Sequence, residues 1–193
     1  MAILSATARL FVKKGFSQLS IEGIAAEAGV GKQTIYRWWP TKSDLVAEAL
    51  IEGMLMPGHL EPRFAGTLRD DLVHWMLRVL AFVDDPQYDE MLKSLLAAGA
   101  TNPAIGAQIR DRLGADAGLA YRLENGAAEA GLGRRIEKGI AAGELAADAP
   151  ISSIIELLTG AVVLRVVARS AADEGEAERL VDVVLGRYAP PAR

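Results

Sequence analysis

At 193 residues, 51% hydrophobic and 24% charged, the chain fits one compact domain or a small domain plus a medium one, and its composition excludes a disordered protein. It has no cysteine, which excludes a disulfide framework, thiol catalysis and Cys-ligated zinc. The net charge of −4 is uneven: residues 1–45 hold six basic and three acidic groups and the remainder 15 basic and 22 acidic, so an anionic partner is expected for the basic head only.

In chain order, nearly every periodic segment reads as helix. Ile3, Leu4, Thr7, Leu10 and Phe11 recur at helical spacing, and Lys13-Lys14-Gly15 supplies a stop with cations at the negative end of the dipole. Ser20 is a good N-cap for a short helix over Ile21–Ala28, which Gly29 ends. A third helix is predicted from about Lys32 to Trp38. Pro40 stops it, and Thr41 or Ser43 caps a fourth that runs to about Met56.

"MPGHLEPRFAG", Met56 to Gly66, reads as a loop. Beyond it, helices are expected at about Thr67–Val83, Gln87–Ala98, Pro103–Leu113, Asp116–Ala142 with a break near Gly131 and Gly133, Ile151–Ser170 and Gly175–Tyr188. Asn102-Pro103 and Asp148 with Pro150 are cap-and-proline starts. No run reads as a strand, so the fold class is all-α. The apolar run Ile151–Ala168 is interrupted by Glu156 and Arg165 and is short for a membrane span. No basic segment followed by an apolar one opens the chain, so no signal peptide is expected. A cytoplasmic protein with no membrane partner is the resulting expectation.

The informative stretch is "GVGKQTIYRWWPTKSDL", Gly29 to Leu45. It imitates a phosphate-binding loop, but that loop needs glycine where Ala26 stands and Ser or Thr where Gln33 stands. A helix-turn-helix fits better. Gly29 supplies the unusual backbone between two helices, Ala25 and Ala28 are small enough for their crossing, and Ile24, Val30, Ile35 and one or both tryptophans are spaced to close a small core. The second helix then exposes Lys32, Gln33, Tyr36 and Arg37, a donor-rich face of a width that enters a DNA major groove.

"TIYRWWPTKSDL", with "ATARLFVKKGFSQLSIEGIAAEAGVG" before it, resembles the TetR/AcrR family of transcriptional regulators over residues 3–50. The resemblance implies an N-terminal three-helix DNA-binding head in residues 1–45 and a helical ligand-binding and dimerisation domain in 46–193. It implies that Tyr36 faces the groove, that Thr34 and Lys42 contact phosphate, and that Lys32 and Gln33 meet bases, where Lys suits guanine and Gln adenine. Arg37 belongs to the same face, and Ser20 is a further candidate backbone contact. Trp38 stands where the family often has His, so it offers an indole N–H contact or pure packing. Trp39 stands at the family's core aromatic position. The family usually begins with a basic arm, whereas helix one here starts close to Met1. Either the arm is lacking or the chain is a shortened version.

The helix over 151–170 is apolar nearly all round, and the last helix adds Leu180, Val181, Val183, Val184 and Leu185. A homodimer through residues 151–188, built as a four-helix interface, is expected; a buried hairpin within one chain is the bland alternative. Phe64, Trp75, Met76, Phe82, Tyr88, Met91 and Tyr121 are ordinary core residues individually. Together they are candidates to line a pocket for an apolar or aromatic effector, as the resemblance implies. Helix four would carry Lys42 at its DNA end and Met54 at its body end, and so pass the effector's influence to the heads. Repression is the family's commoner mode and is the expected sign.

His59 and His74 are too few and too far apart for a metal site, and no cofactor is expected. "DDPQYDE", Asp84 to Glu90, resembles the aspartate-rich magnesium motif of helical prenyl-transferring and terpene-forming enzymes. Pro86 breaks the helix that would align those carboxylates, and no second cluster faces them. A small magnesium-dependent enzyme and a helical adaptor without a DNA role remain as the competing readings.

Overall fold

The computed structural model describes residues 2–55, 64–113, 131–168 and 173–189. All regular structure among them is helical: α1 (Ala2–Lys14), α2 (Ile21–Ala28), α3 (Lys32–Trp38), α4 (Lys42–Ile51), α5 (Leu68–Asp84), α6 (Pro86–Thr101), α7 (Pro103–Leu113), α8 (Leu132–Ala141), α9 (Ile151–Ala168) and α10 (Glu176–Gly186). The all-α expectation is borne out. Most of the Met56–Gly66 loop, Tyr121 and the first part of the helix expected over 116–142 lie outside the described residues.

Packing divides the chain into two compact units, Met1–Pro57 with Asp85–Ile109, and Gly58–Asp84 with Arg110–Arg193. In the first, α1 packs on α2 and α4, α2 on α3, and α4 on α6. Leu4, Phe11, Ile24, Ile35, Leu45, Val46 and Ala49 are buried, as the spacing of apolar residues on α1 and α2 requires. The Phe11 and Tyr88 rings stack with centroids 5.8 Å apart, and Ala47, Ala98 and Ile105 form a small cluster with Ile51, Leu95 and Ile109 around it. A methyl group on Gly106 would lie 2.8 Å from the Gly99 carbonyl oxygen, so α6 and α7 meet backbone to backbone.

Local chemistry explains the helix ends. The Ser20 hydroxyl accepts from the Gly23 N–H (3.1 Å), and Gly29 ends α2 at φ 67°, with its own N–H turned back to α2 carbonyls. Thr41, rather than Ser43, caps α4 through a reciprocal box: its hydroxyl accepts from the Asp44 N–H, and the Asp44 carboxylate accepts from the Thr41 N–H. That helix stops at Ile51, short of the expected Met56. Gly53 takes φ 75° and the Met54 N–H donates to Ala49 C=O (2.9 Å), a glycine stop that the apolar run had masked. Met54 therefore lies beyond α4 and not at its body end. Pro86 opens α6 instead of breaking a helix, with Asp85 accepting from the Gln87 N–H.

In the second unit α5, α8, α9 and α10 pack around Leu68, Leu72, Met76, Ile136, Ile154, Ile155, Leu158 and Val181. Among its described residues two arginines are buried. Arg135 on α8 donates to Asp71 on α5 (2.5 Å), to Glu144 (3.3 Å) and to the Gly66 carbonyl (3.1 Å). Arg165 on α9 donates to Asp84 (3.0 Å) and Glu176 (2.6 Å). Neither pair was legible in the periodicity, because their partners come from other helices.

Candidate nucleic-acid interface

The seven residues of α3 show one side to the interior. Ile35 is fully buried, whereas Lys32, Gln33, Thr34, Tyr36, Arg37 and Trp38 are exposed. The two aromatic rings are the informative members: Tyr36 is 50% and Trp38 64% exposed. Large rings are left in water when no interior is available to them or when they serve a partner. The Arg37 guanidinium lies over the Trp38 ring, 5.4 Å from its centroid. It is thereby held along the rod instead of sweeping freely.

Ser20 is exposed beside the first turn of α2. Lys42 is half-buried. Its ammonium donates to the Phe16 carbonyl (3.1 Å) and sits 4.2 Å from the Phe16 ring centroid. This ties the beginning of the α1–α2 turn to the start of α4, and an ammonium with three donors keeps two for an anion. Sequence reading missed Phe16 because a carbonyl acceptor carries no residue signature.

Trp39 is half-buried rather than sealed in the core. Its indole N–H donates to Glu48 on α4 at 2.7 Å. Trp39→Phe keeps an aromatic ring but removes the indole N–H and strands the carboxylate; it is expected to cost about 1–2 kcal/mol in a urea titration.

Lys32 has a charged neighbour that sequence reading also missed. Glu22, in the first turn of α2, accepts from its ammonium at 3.0 Å. That hydrogen bond and the opposite charge hold Glu22 below the usual carboxylate range and Lys32 above the usual lysine value, so both stay ionised at neutral pH.

The described candidate pocket residues are divided between the two units. Phe64, Trp75, Met76 and Phe82 belong to the second unit, where Trp75, Met76 and Phe82 are buried. Tyr88 and the fully buried Met91 belong to the first, and Tyr121 lies outside the described residues. The acidic run is engaged structurally: Asp84 with Arg165, Asp85 as the α6 cap, Asp89 with Lys93. Among the described residues no cluster of His, Asp or Glu could hold a metal ion.

A tri-helical head with a glycine-turned helix pair and an exposed second helix is the architecture of a helix-turn-helix DNA-binding module. The comparisons name the family. A family model described as "Bacterial regulatory proteins, tetR family" matches residues 3–49, and one described as "Tetracyclin repressor-like, C-terminal domain" matches 64–184. The chain belongs to the TetR family. It is similar to an uncharacterized HTH-type transcriptional regulator of Mycobacterium tuberculosis, 35% identical over 103 residues, which are 53% of this chain and 49% of that one. The regulator YdeS of Bacillus subtilis is 28% identical over 111 residues, 58% of this chain and 54% of its own. The chain thus matches about half the length of these curated relatives. Among solved structures, the TetR family transcription regulator SCO0332 superposes with a TM-score of 0.69 at 24% identity, covering 97% of each chain. A TetR-family regulator from Mesorhizobium loti gives 0.54 at 20%, covering 97% of this chain and 95% of its own. At these identities the structures speak for the fold alone.

Proposed function

We propose that the chain is a ligand-responsive repressor that binds a palindromic DNA operator as a homodimer in the cytoplasm and releases it when a small apolar or aromatic effector binds. Residues 1–45 supply the reading head and 46–193 the regulatory body. The observation that carries the reading is the α3 face: six exposed side chains, two of them rings and two of them cations, around a single buried Ile35. Tyr36, Thr34, Ser20 and the free donors of Lys42 engage phosphate and position the head. Lys32 and Gln33 read base edges, and Arg37 with Trp38 flanks the groove.

Dimerisation is supported by the outer side of α9 and α10, where Leu157, Leu164, Val167 and Val183 are all more than half exposed. Apolar residues in such a row favour a second copy of the same helices. The helix α9 is also long and apolar enough to cross a membrane by length and composition, but its opposite side is packed in the second unit and holds the buried Arg165. The effector's place is the second unit, around Trp75, Met76 and Phe82. An effector that binds one pose of the dimer better by about 1–3 kcal/mol shifts the share of dimers that fit the operator.

Selection of bound duplexes from a random pool tests the whole reading, and a palindrome with half-sites about one helical turn apart is the expected product. Tyr36→Ala should weaken binding to the selected duplex by about 10- to 100-fold, the loss of one or two good contacts, with dimerisation unchanged. A helical adaptor would show neither enrichment nor steep weakening with salt.

A further inference from the structure

We infer that Glu22 is a specificity-determining residue of the reading head, holding the Lys32 ammonium back from phosphates outside the correct site; this rests on the DNA-reading role proposed above. Three cations lie on the surface assigned to DNA: Lys32, Arg37 and Lys42. Arg37 lies over an indole and Lys42 donates to a carbonyl, both uncharged partners. Lys32 instead meets a carboxylate at 3.0 Å, and both side chains are more than half exposed, at 53% and 62%. A pair so open to water adds little to folding. It does, however, place a negative charge on a surface whose partner is a polyanion.

The consequence differs between correct and incorrect DNA. Against the backbone, Glu22 repels phosphate and offsets the Lys32 charge, so affinity for every sequence falls. Opposite a G·C pair, the ammonium meets the guanine O6/N7 acceptors while the carboxylate accepts from the neighbouring cytosine N4 amino group. The ion pair presents a donor and an acceptor side by side at about the spacing of those edges. Opposite an A·T pair, thymine O4, an acceptor, stands where cytosine N4 would, and the carboxylate is repelled. Glu22 thus lowers general affinity more than it lowers affinity for the right site.

The test compares wild type, E22Q, K32A and the E22Q/K32A double variant. Each is titrated with the duplex enriched from the random pool and with the unselected pool, over a series of salt concentrations. E22Q is expected to tighten pool binding about three- to tenfold and to steepen the slope of log affinity against log salt by about 0.9, the signature of one more phosphate contact. The enriched duplex should gain less or lose, so that the ratio of the two affinities falls. In the K32A background the effect of Glu22→Gln should shrink. Unchanged pool affinity and slope in E22Q, an equal gain on both duplexes, or a gain undiminished without Lys32 each overturns the inference while leaving the DNA-reading role in place. Wild type that binds no duplex at all overturns that role and the inference with it.

Discussion

Arg135→Ala is expected to destabilise the protein by about 3–5 kcal/mol, the loss that follows when one partner is removed from a buried ion pair. Arg135 is 8% exposed and Asp71 5%. Around it, the second Asp71 oxygen accepts from the Ala65 and Gly66 N–H groups (3.0 and 2.9 Å), and Glu144 accepts from the Leu68 N–H at 2.5 Å. One side chain therefore binds together the start of α5, the body of α8 and the turn that follows α8. Without it the buried Asp71 carboxylate loses its charged partner with Glu144 close by, and the capping of α5 loses its anchor. Urea unfolding followed by circular dichroism reads the cost. Arg135→Lys keeps the charge but lacks the planar fork, so it should fall between wild type and alanine. A loss under about 1 kcal/mol would show that the cluster is not a structural clamp.

The same site sets an acid dependence. Burial pushes the Asp71 carboxyl up, but the Arg135 hydrogen bond, the two backbone N–H groups and the Arg135 charge together outweigh it and hold Asp71 below the ordinary aspartate value. The unfolded chain then binds a proton that the folded chain refuses. Stability from this group is complete above the unfolded value and is lost as pH falls through the lower, folded one. Wild type should lose more stability than Arg135→Ala on acidification below about pH 4, so the gap between them narrows there.

Leu164→Glu is expected to separate the proposed homodimer and to lower affinity for the selected duplex at least about 100-fold, because two weak half-site energies no longer add. Leu164 and Val167 are each 66% exposed and Val183 78%. With Leu157 and Gly160, the α9 positions fall at intervals of three, four and three, the spacing of a helix–helix seam. The interior of the single chain is untouched by this substitution, so the isolated fold should tolerate the charge to within about 0.5 kcal/mol. Sedimentation should give a monomer, and the melting temperature should not depend on concentration, whereas that of wild type should. Residual low-salt binding to DNA should survive, since α3 is unchanged. A variant that remains dimeric would place the interface elsewhere.

The head was the most legible part of the chain. Ser20, Gly29 and the Thr41–Asp44 box act within three or four residues of themselves, so their geometry follows from local spacing. The exposed face of α3 followed from a seven-residue turn count around Ile35. The pocket was less legible, because aromatic spacing reports burial but not which body does the burying. Tyr88 reads like Trp75 in sequence, yet it stacks on Phe11 in the first unit while Trp75 is buried in the second.

The helical class, the starts of α2, α3, α7 and α9 and the glycine-turned head were determined by the amino-acid order alone. Capping and backbone hydrogen bonding reach only a few residues, and those residues are neighbours in the chain. The tertiary structure alone decided which side of α9 faces outward. Its composition is apolar nearly all round and sets no direction. Arg165 is drawn inward by Asp84, 81 residues away, and by Glu176 on α10, which turns Leu164 and Val167 to the outside. The same holds for Glu22 and Lys32, ten residues apart and brought within 3.0 Å only once α2 and α3 cross. A charge finds its partner through space, and the distance that matters to Coulomb's law is not written along the chain.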